Sequence, residues 1–341
     1  MDTITQITLG AAVGEAVLGK KVGNKAPLAG AVVGVLPDLD VLANPFLNQV
    51  QEIAVHRGIT HSIFFCLVVP PLLGWVLNRI MKKSEAGWKD WSLMVFWVLI
   101  THIFLDLCTS YGTQIFQPFS SYPASLNSIF IIDPFYTLPL LGGLAVALFY
   151  KPGSRTRIRM NAIGLAISTL YLLSGLFLKL HVNHVFEENY RNQQIGIERY
   201  MTTPAPLSIF LWTGYAESSD TVYAGLYSVF DDDREIKLHP IPQRSELIQP
   251  YIDQVAMERL IWFSNGYYAV SRGSETLLFH DLRFGRSDLW LTERNTPFVW
   301  NYRLLFNDDS TQVIGVDRFE PTFDIRSGRF RQLYHRTFGR K

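Results

Sequence analysis

WSLMVFWVLITHIFLDLC, running from Trp91 to Cys108, decides how this chain is to be read. At about 1.5 Å of rise per residue such a stretch makes a helix close to the ~30 Å hydrocarbon core of a bilayer. Inside it sit His102 and Asp106. Ionisable groups are costly in hydrocarbon, so an intramembrane His or Asp points to function. Four residues apart, the two share one helical face, with about 5–6 Å between their Cβ atoms. That spacing lets an imidazole and a carboxylate reach one ion. Taken alone, the pair is also what a helix-surface contact looks like, so the surrounding sequence has to decide.

Five further apolar segments flank it: Ile4–Gly19, Ala26–Ala43, Ile63–Leu77, Phe135–Tyr150 and Met160–Leu178. They predict a polytopic α-helical membrane protein with about six apolar segments. Loop charge gives an orientation. One set of loops carries eleven cations: Lys20, Lys21, Lys25, Arg79, Lys82, Lys83, Lys89, Lys151, Arg155, Arg157 and Arg159. The alternate set carries one, Arg57. The positive-inside rule then puts the basic loops in the cytoplasm and everything after His181 outside. A net charge of +1 gives no reason to expect nucleic acid, which would call for a basic face. Cys66 and Cys108 read as buried free thiols, and the opening residues lack the pattern of a removable signal peptide.

Beyond residue 180 the composition changes. Residues 1–180 form the transmembrane domain, and 181–203 read as a helical stalk that Pro204 and Pro206 end. Residues 204–341 read as a small β-rich extracytoplasmic domain, with strand-like runs at Val222–Phe230, Arg259–Val270, Glu275–Leu282 and Thr311–Arg318. Its histidines, His239, His280 and His335, are isolated in sequence and read as surface or packing residues.

With that topology, ionisable groups from separate segments come to one depth. Asp38 and Asp40, in Pro37-Asp-Leu-Asp40, lie at the outer end of the second segment. His56 and His61, in His56-Arg-Gly-Ile-Thr-His61-Ser62, open the third. Asp106 falls about 3 Å and His102 about 9 Å from the outer end of the fourth. The proposed metal ligands are therefore Asp38, Asp40, His56, His61, His102 and Asp106, with Asp38 and Arg57 as catalytic candidates. Imidazole and carboxylate together suit a divalent ion, zinc foremost, with manganese, iron or magnesium as alternatives. Asp133-Pro134 reads as a helix cap before a ligand. Glu15 lies too deep to join an outer site.

In order, Asp2–Gln6, Gly10–Glu15, Pro37–Asp40, His56–Ser62 and His102-x-x-x-Asp106 resemble the YdjM-like family of bacterial inner-membrane proteins, described as membrane-bound metal-dependent hydrolases. The resemblance covers about the first 150 residues. It implies a location in the bacterial cytoplasmic membrane and a hydrolase activity. The family often has a histidine where this chain has Gln6. The expected function is hydrolysis of an ester, foremost a phosphoester, at the outer membrane face, with the lipid bilayer and a phosphorylated or lipid-linked substrate as partners. The alternatives are a non-enzymatic anchor or receptor for the outer domain, and an ion- or proton-coupled transporter.

Overall fold

A computed structural model describes residues 1–81, 85–288, 291, 296–320 and 329–339. Lys82 and Lys83 of the basic loop lie outside the described residues. Two compact units divide the chain, one of Met1–Leu42, Val55–Leu176 and Pro206–Ser208, the other of Ala43–Ala54, Phe177–Ala205 and Ile209–Lys341.

In the first unit, Asp2 caps α1 (Thr3–Val22), its side chain accepting from the Thr5 amide at 3.0 Å. Next comes α2 (Lys25–Val35), antiparallel to it. Gly10 and Gly14 face Gly30 and Gly34, so the two backbones nearly touch: a Cβ on Gly30 would stand 2.2 Å from the Gly10 carbonyl oxygen. Small residues four apart allow this approach in membrane helices. A 3-10 segment, Pro37–Phe46, follows α2, and α3 (Gln49–Val55) falls almost wholly within Ala43–Ala54, which belongs to the second unit. Ser62 caps α4 (Ile63–Ile80) by accepting from the Phe65 amide at 3.1 Å.

Trp91, Met94, Val95, Val98, Leu99, His102 and Asp106 of α5 (Trp88–Leu107) are all buried, which makes this helix the spine of the unit. Asp133 caps α6 (Pro134–Leu148), with Pro134 in the first turn. It accepts from the Phe135 amide at 3.0 Å and from the Tyr171 hydroxyl at 2.9 Å, so it is a cap, as its sequence suggests. The last of these helices, α7 (Arg155–Asn192), has 38 residues, about 57 Å of helix, more than a bilayer core requires. Helix therefore continues past Leu178 into the region read as a stalk. Helices cover all six apolar segments. Among the described residues, α4, α5 and α7 are long and apolar enough to cross a membrane, and α2 with Pro37–Phe46, bent by 41°, makes a fourth if the pair is one span.

The second unit contains two four-stranded antiparallel meanders. One consists of β1 (Arg199–Pro204), β2 (Leu211–Ser218), β3 (Thr221–Ser228) and β4 (Leu238–Pro242). The helix α8 (Val255–Phe263) separates it from β5 (Tyr268–Arg272), β6 (Leu277–Arg286), β7 (Phe298–Phe306) and β8 (Val313–Phe319), and α9 is Arg329–Thr337. The run Arg259–Val270 is thus not one strand. Ala256, Met257, Leu260 and Phe263 are buried at helical spacing, so its first half coils, and Asn265 and Gly266, both at positive φ, turn the chain into β5. Within this unit Val182, Val185, Phe186 and Tyr190 of α7 pack against Trp212, Ala216 and Tyr227.

Candidate metal centre

Chain direction brings the C-terminal ends of α2 and α5 to the N-terminal ends of α1, α4 and α6. The Asp2 amide bonds the Ile131 carbonyl at 3.1 Å, the Ile63 amide bonds that of Ile115 at 3.0 Å, and His102 Nδ1 meets the Gly34 carbonyl at 2.8 Å. Between α3 and α4 the chain turns sharply. Arg57 has φ 55°, a left-handed conformation rare for a residue with a Cβ. Strain of this kind costs about 1–3 kcal/mol and persists where the surroundings enforce it. Here the Arg57 amide donates to Asp40 Oδ2 at 2.9 Å and its carbonyl accepts from Gln114 at 3.0 Å. A 3-10 turn, Ile59–His61, then delivers His61 to the interior.

Asp38, His61, His102 and Asp106 each direct one ligand atom to a common point, all four within 4.8 Å of one another. His61 Nε2 lies 3.3 Å from Asp38 Oδ1, 3.4 Å from Asp106 Oδ2 and 3.3 Å from His102 Nε2. His102 Nε2 lies 3.7 Å from Asp38 Oδ1 and 3.8 Å from Asp106 Oδ2. Four ligands about 2.0–2.1 Å from a tetrahedral ion stand about 3.3–3.4 Å apart, which the three edges at His61 Nε2 match, while the two from His102 to the carboxylates, at 3.7 and 3.8 Å, are longer.

Hydrogen bonding sets the imidazoles for the same purpose. The Gly34 carbonyl can only accept, so His102 Nδ1 carries the proton and Nε2 presents a lone pair. His61 Nδ1 faces Thr60 Oγ1 at 3.0 Å and Asp40 Oδ2 at 3.8 Å, which leaves its Nε2 turned inward. The two Nε2 atoms thus face carboxylate oxygens, and buried Asp106 Oδ2 has no hydrogen-bond partner. Burial works against a charged His61, yet the Asp106 and Asp38 carboxylates outweigh it and hold its pKa above the ordinary value. The cluster asks for positive charge at its centre, which a divalent cation would supply.

The remaining candidates form a layer around these four. Asp40 accepts from the Arg57 amide and meets His56 Nδ1 at 3.1 Å, so both Asp40 and His56 lie outside the four-atom group and brace the His61 turn. That is the usual place of the carboxylate behind a metal-binding imidazole. Arg57 is 3% exposed, with Nε 3.3 Å from Asp106 Oδ2, Nη1 donating to Thr109 Oγ1 at 2.9 Å, and the guanidinium 4.8 Å from the centre of the Tyr111 ring. Gln6, set aside by sequence reasoning, donates to Asp106 Oδ1 at 3.0 Å, and the Met1 amino group bonds the same oxygen. The signal for Gln6 was its place in the Thr-Gln pair of the opening motif. Glu15 is elsewhere: Arg157 binds it through two 2.7 Å hydrogen bonds, so one of the basic-loop cations is buried against it.

The chain belongs to the YdjM inner membrane protein family, whose model matches residues 1–182. It is 27% identical over 236 residues to the uncharacterized protein YfhP of Bacillus subtilis strain 168, covering 66% of this chain and 68% of YfhP. It is 31% identical over 109 residues to the inner membrane protein YbcI of Escherichia coli K12, covering 32% of this chain and 61% of YbcI. No solved structure matches it.

Proposed function

We propose that this YdjM-family chain is a membrane-bound, metal-dependent hydrolase that cleaves an ester, foremost a phosphoester, at the outer face of the cytoplasmic membrane. The observation that carries the reading is the convergence of Asp38, His61, His102 and Asp106 on one point. A bound divalent cation would act as Lewis acid and lower the pKa of a coordinated water toward about 7. His61, His102 and Asp106 are fully buried and would hold it, three being the usual number of protein ligands at catalytic zinc. The Asp38 side chain is 22% exposed and reaches the same point from the accessible side. It is placed to be a displaceable fourth ligand, or the base that takes a proton from water. Arg57 keeps a fixed positive charge beside Asp106, in reach of the field that a phosphoryl group would feel. A site at the ends of apolar helices also suits a substrate with a lipid tail. The eleven-to-one asymmetry of loop cations supports the outer face.

Purified full-length protein, stripped with a chelator and reloaded with zinc, manganese, iron or magnesium, tests the reading against a panel of esters and phosphoesters. One metal should restore turnover, and Asp38→Asn should depress turnover far more than metal content. Metal-loaded protein with no turnover across the panel would refute the hydrolase reading while leaving the metal centre intact.

A further inference from the structure

Ser271 on β5, His280 on β6 and Asn301 on β7 meet on one face of the second sheet, and nothing in the metal centre uses them. His280 is in register with Asn301 on one side and Ala269 on the other. Ser271 follows Ala269 by two residues and so shares its face. Ser271 Oγ lies 2.8 Å from His280 Nε2, and His280 Nδ1 lies 2.6 Å from Asn301 Oδ1. The Asn301 amide nitrogen donates to the Phe298 carbonyl at 2.7 Å, which turns Oδ1 toward the ring. That oxygen can only accept, so Nδ1 bears the proton and Nε2 offers its lone pair to the serine hydroxyl. Nucleophile, base and orienting group stand in the order that activates a serine.

These residues also face space. All three line a cavity of about 710 Å³, together with Arg244, Ile241 and Phe298. Small-molecule sites fall at about 300–1,000 Å³. Burial lowers the pKa of His280 from its ordinary value, which keeps the ring neutral and able to accept a proton at neutral pH.

We propose that Ser271, His280 and Asn301 form a second, metal-independent active centre in the β-rich unit, a serine nucleophile acting on a small carboxylic ester. Ser271 Oγ bonds to the carbonyl carbon while His280 Nε2 takes the hydroxyl proton. The bond from that carbon to the alcohol oxygen breaks, His280 returns the proton to this oxygen, and the alcohol leaves. Water then adds its oxygen to the acyl carbon and a proton to His280. The Ser271 Oγ–carbon bond breaks, Oγ recovers the proton, and the carboxylic acid departs. Asn301 holds the ring in its productive tautomer throughout. Arg244 brings positive charge to the cavity and favours an acyl group that carries an anion.

Full-length protein, stripped of metal, is treated with diisopropyl fluorophosphate, whose phosphorus an activated serine captures with loss of fluoride. Peptide mapping should place the adduct on Ser271, at a rate unchanged by metal removal. His280→Gln should slow labelling by roughly 100-fold or more, and Asn301→Ala should slow it too, with partial recovery in Asn301→Asp. No adduct on Ser271, beside a control serine hydrolase labelled in the same sample, would overturn the proposal. So would equal labelling rates in the protein and its His280→Gln variant. The first reading uses the unaltered chain, so it does not depend on how the variants fold.

Discussion

The Gly34 carbonyl places the His102 proton, and Asp40 with His56 holds the turn that carries His61, so these surroundings predict a graded response to substitution. His61→Ala removes a ligand atom and should abolish stoichiometric metal binding. Asp40→Asn and His56→Ala disturb only the bracing of the His61 turn, and changes at that distance typically cost about 10–100-fold in affinity. Binding isotherms for the three variants check this, and equal losses for all three would erase the distinction between ligand and brace. If Arg57 stabilises a phosphoryl oxygen, Arg57→Lys should retain metal yet lose turnover, since lysine lacks the planar bidentate fork. Equal loss of metal and turnover would instead make Arg57 a structural residue that holds Asp106 and Thr109. At His280 the folded-state pKa is depressed by burial, so the stability tied to its neutral form is complete above pH 6.5 and is lost as pH falls through the lowered folded value. Thermal unfolding in detergent should show this acid loss, and His280→Gln should flatten it. A slope that persists in the variant would assign the titration to another group.

Among the elements, the α1–α2 hairpin is expected to act on the site from a distance. Gly30 lies against the Gly10 backbone, and further along α2 the Gly34 carbonyl fixes the tautomer of His102. Gly30→Ala should push the helices apart, with an overpacking cost of about 1–3 kcal/mol, and weaken metal binding although residue 30 touches no ligand. Thermal shift and metal titration together check it; unchanged affinity would uncouple the hairpin from His102. Much of this level was legible in the sequence. Apolar length marked helices over all six segments, and Asp133-Pro134 declared a cap. Less visible was which member of the His56–His61 turn points inward, because that depends on the left-handed backbone at Arg57. Asp40 and His56 were therefore read as ligands when they stand one layer out. Ser271, His280 and Asn301 escaped notice for a different reason: strand register, not sequence spacing, unites them.

For the whole molecule, the charges of the loops predict the side of the membrane that each loop faces. Single cysteines at Glu85, Ser120 and Ser218 should label from opposite sides, Glu85 inside and the other two outside, if the loop charges set orientation. Native Cys66 and Cys108 are fully buried and should stay silent. Labelling of Glu85→Cys and Ser218→Cys from the same side would overturn the arrangement. Whether Asp38, His61, His102 and Asp106 hold one ion is tested most directly by an anomalous difference map from zinc-loaded crystals at the zinc edge. A single strong peak is expected about 2.0–2.3 Å from the two Nε2 atoms and from a carboxylate oxygen of Asp106. A map empty at that point, or one with its peak at the histidines of the β-rich unit, would contradict it.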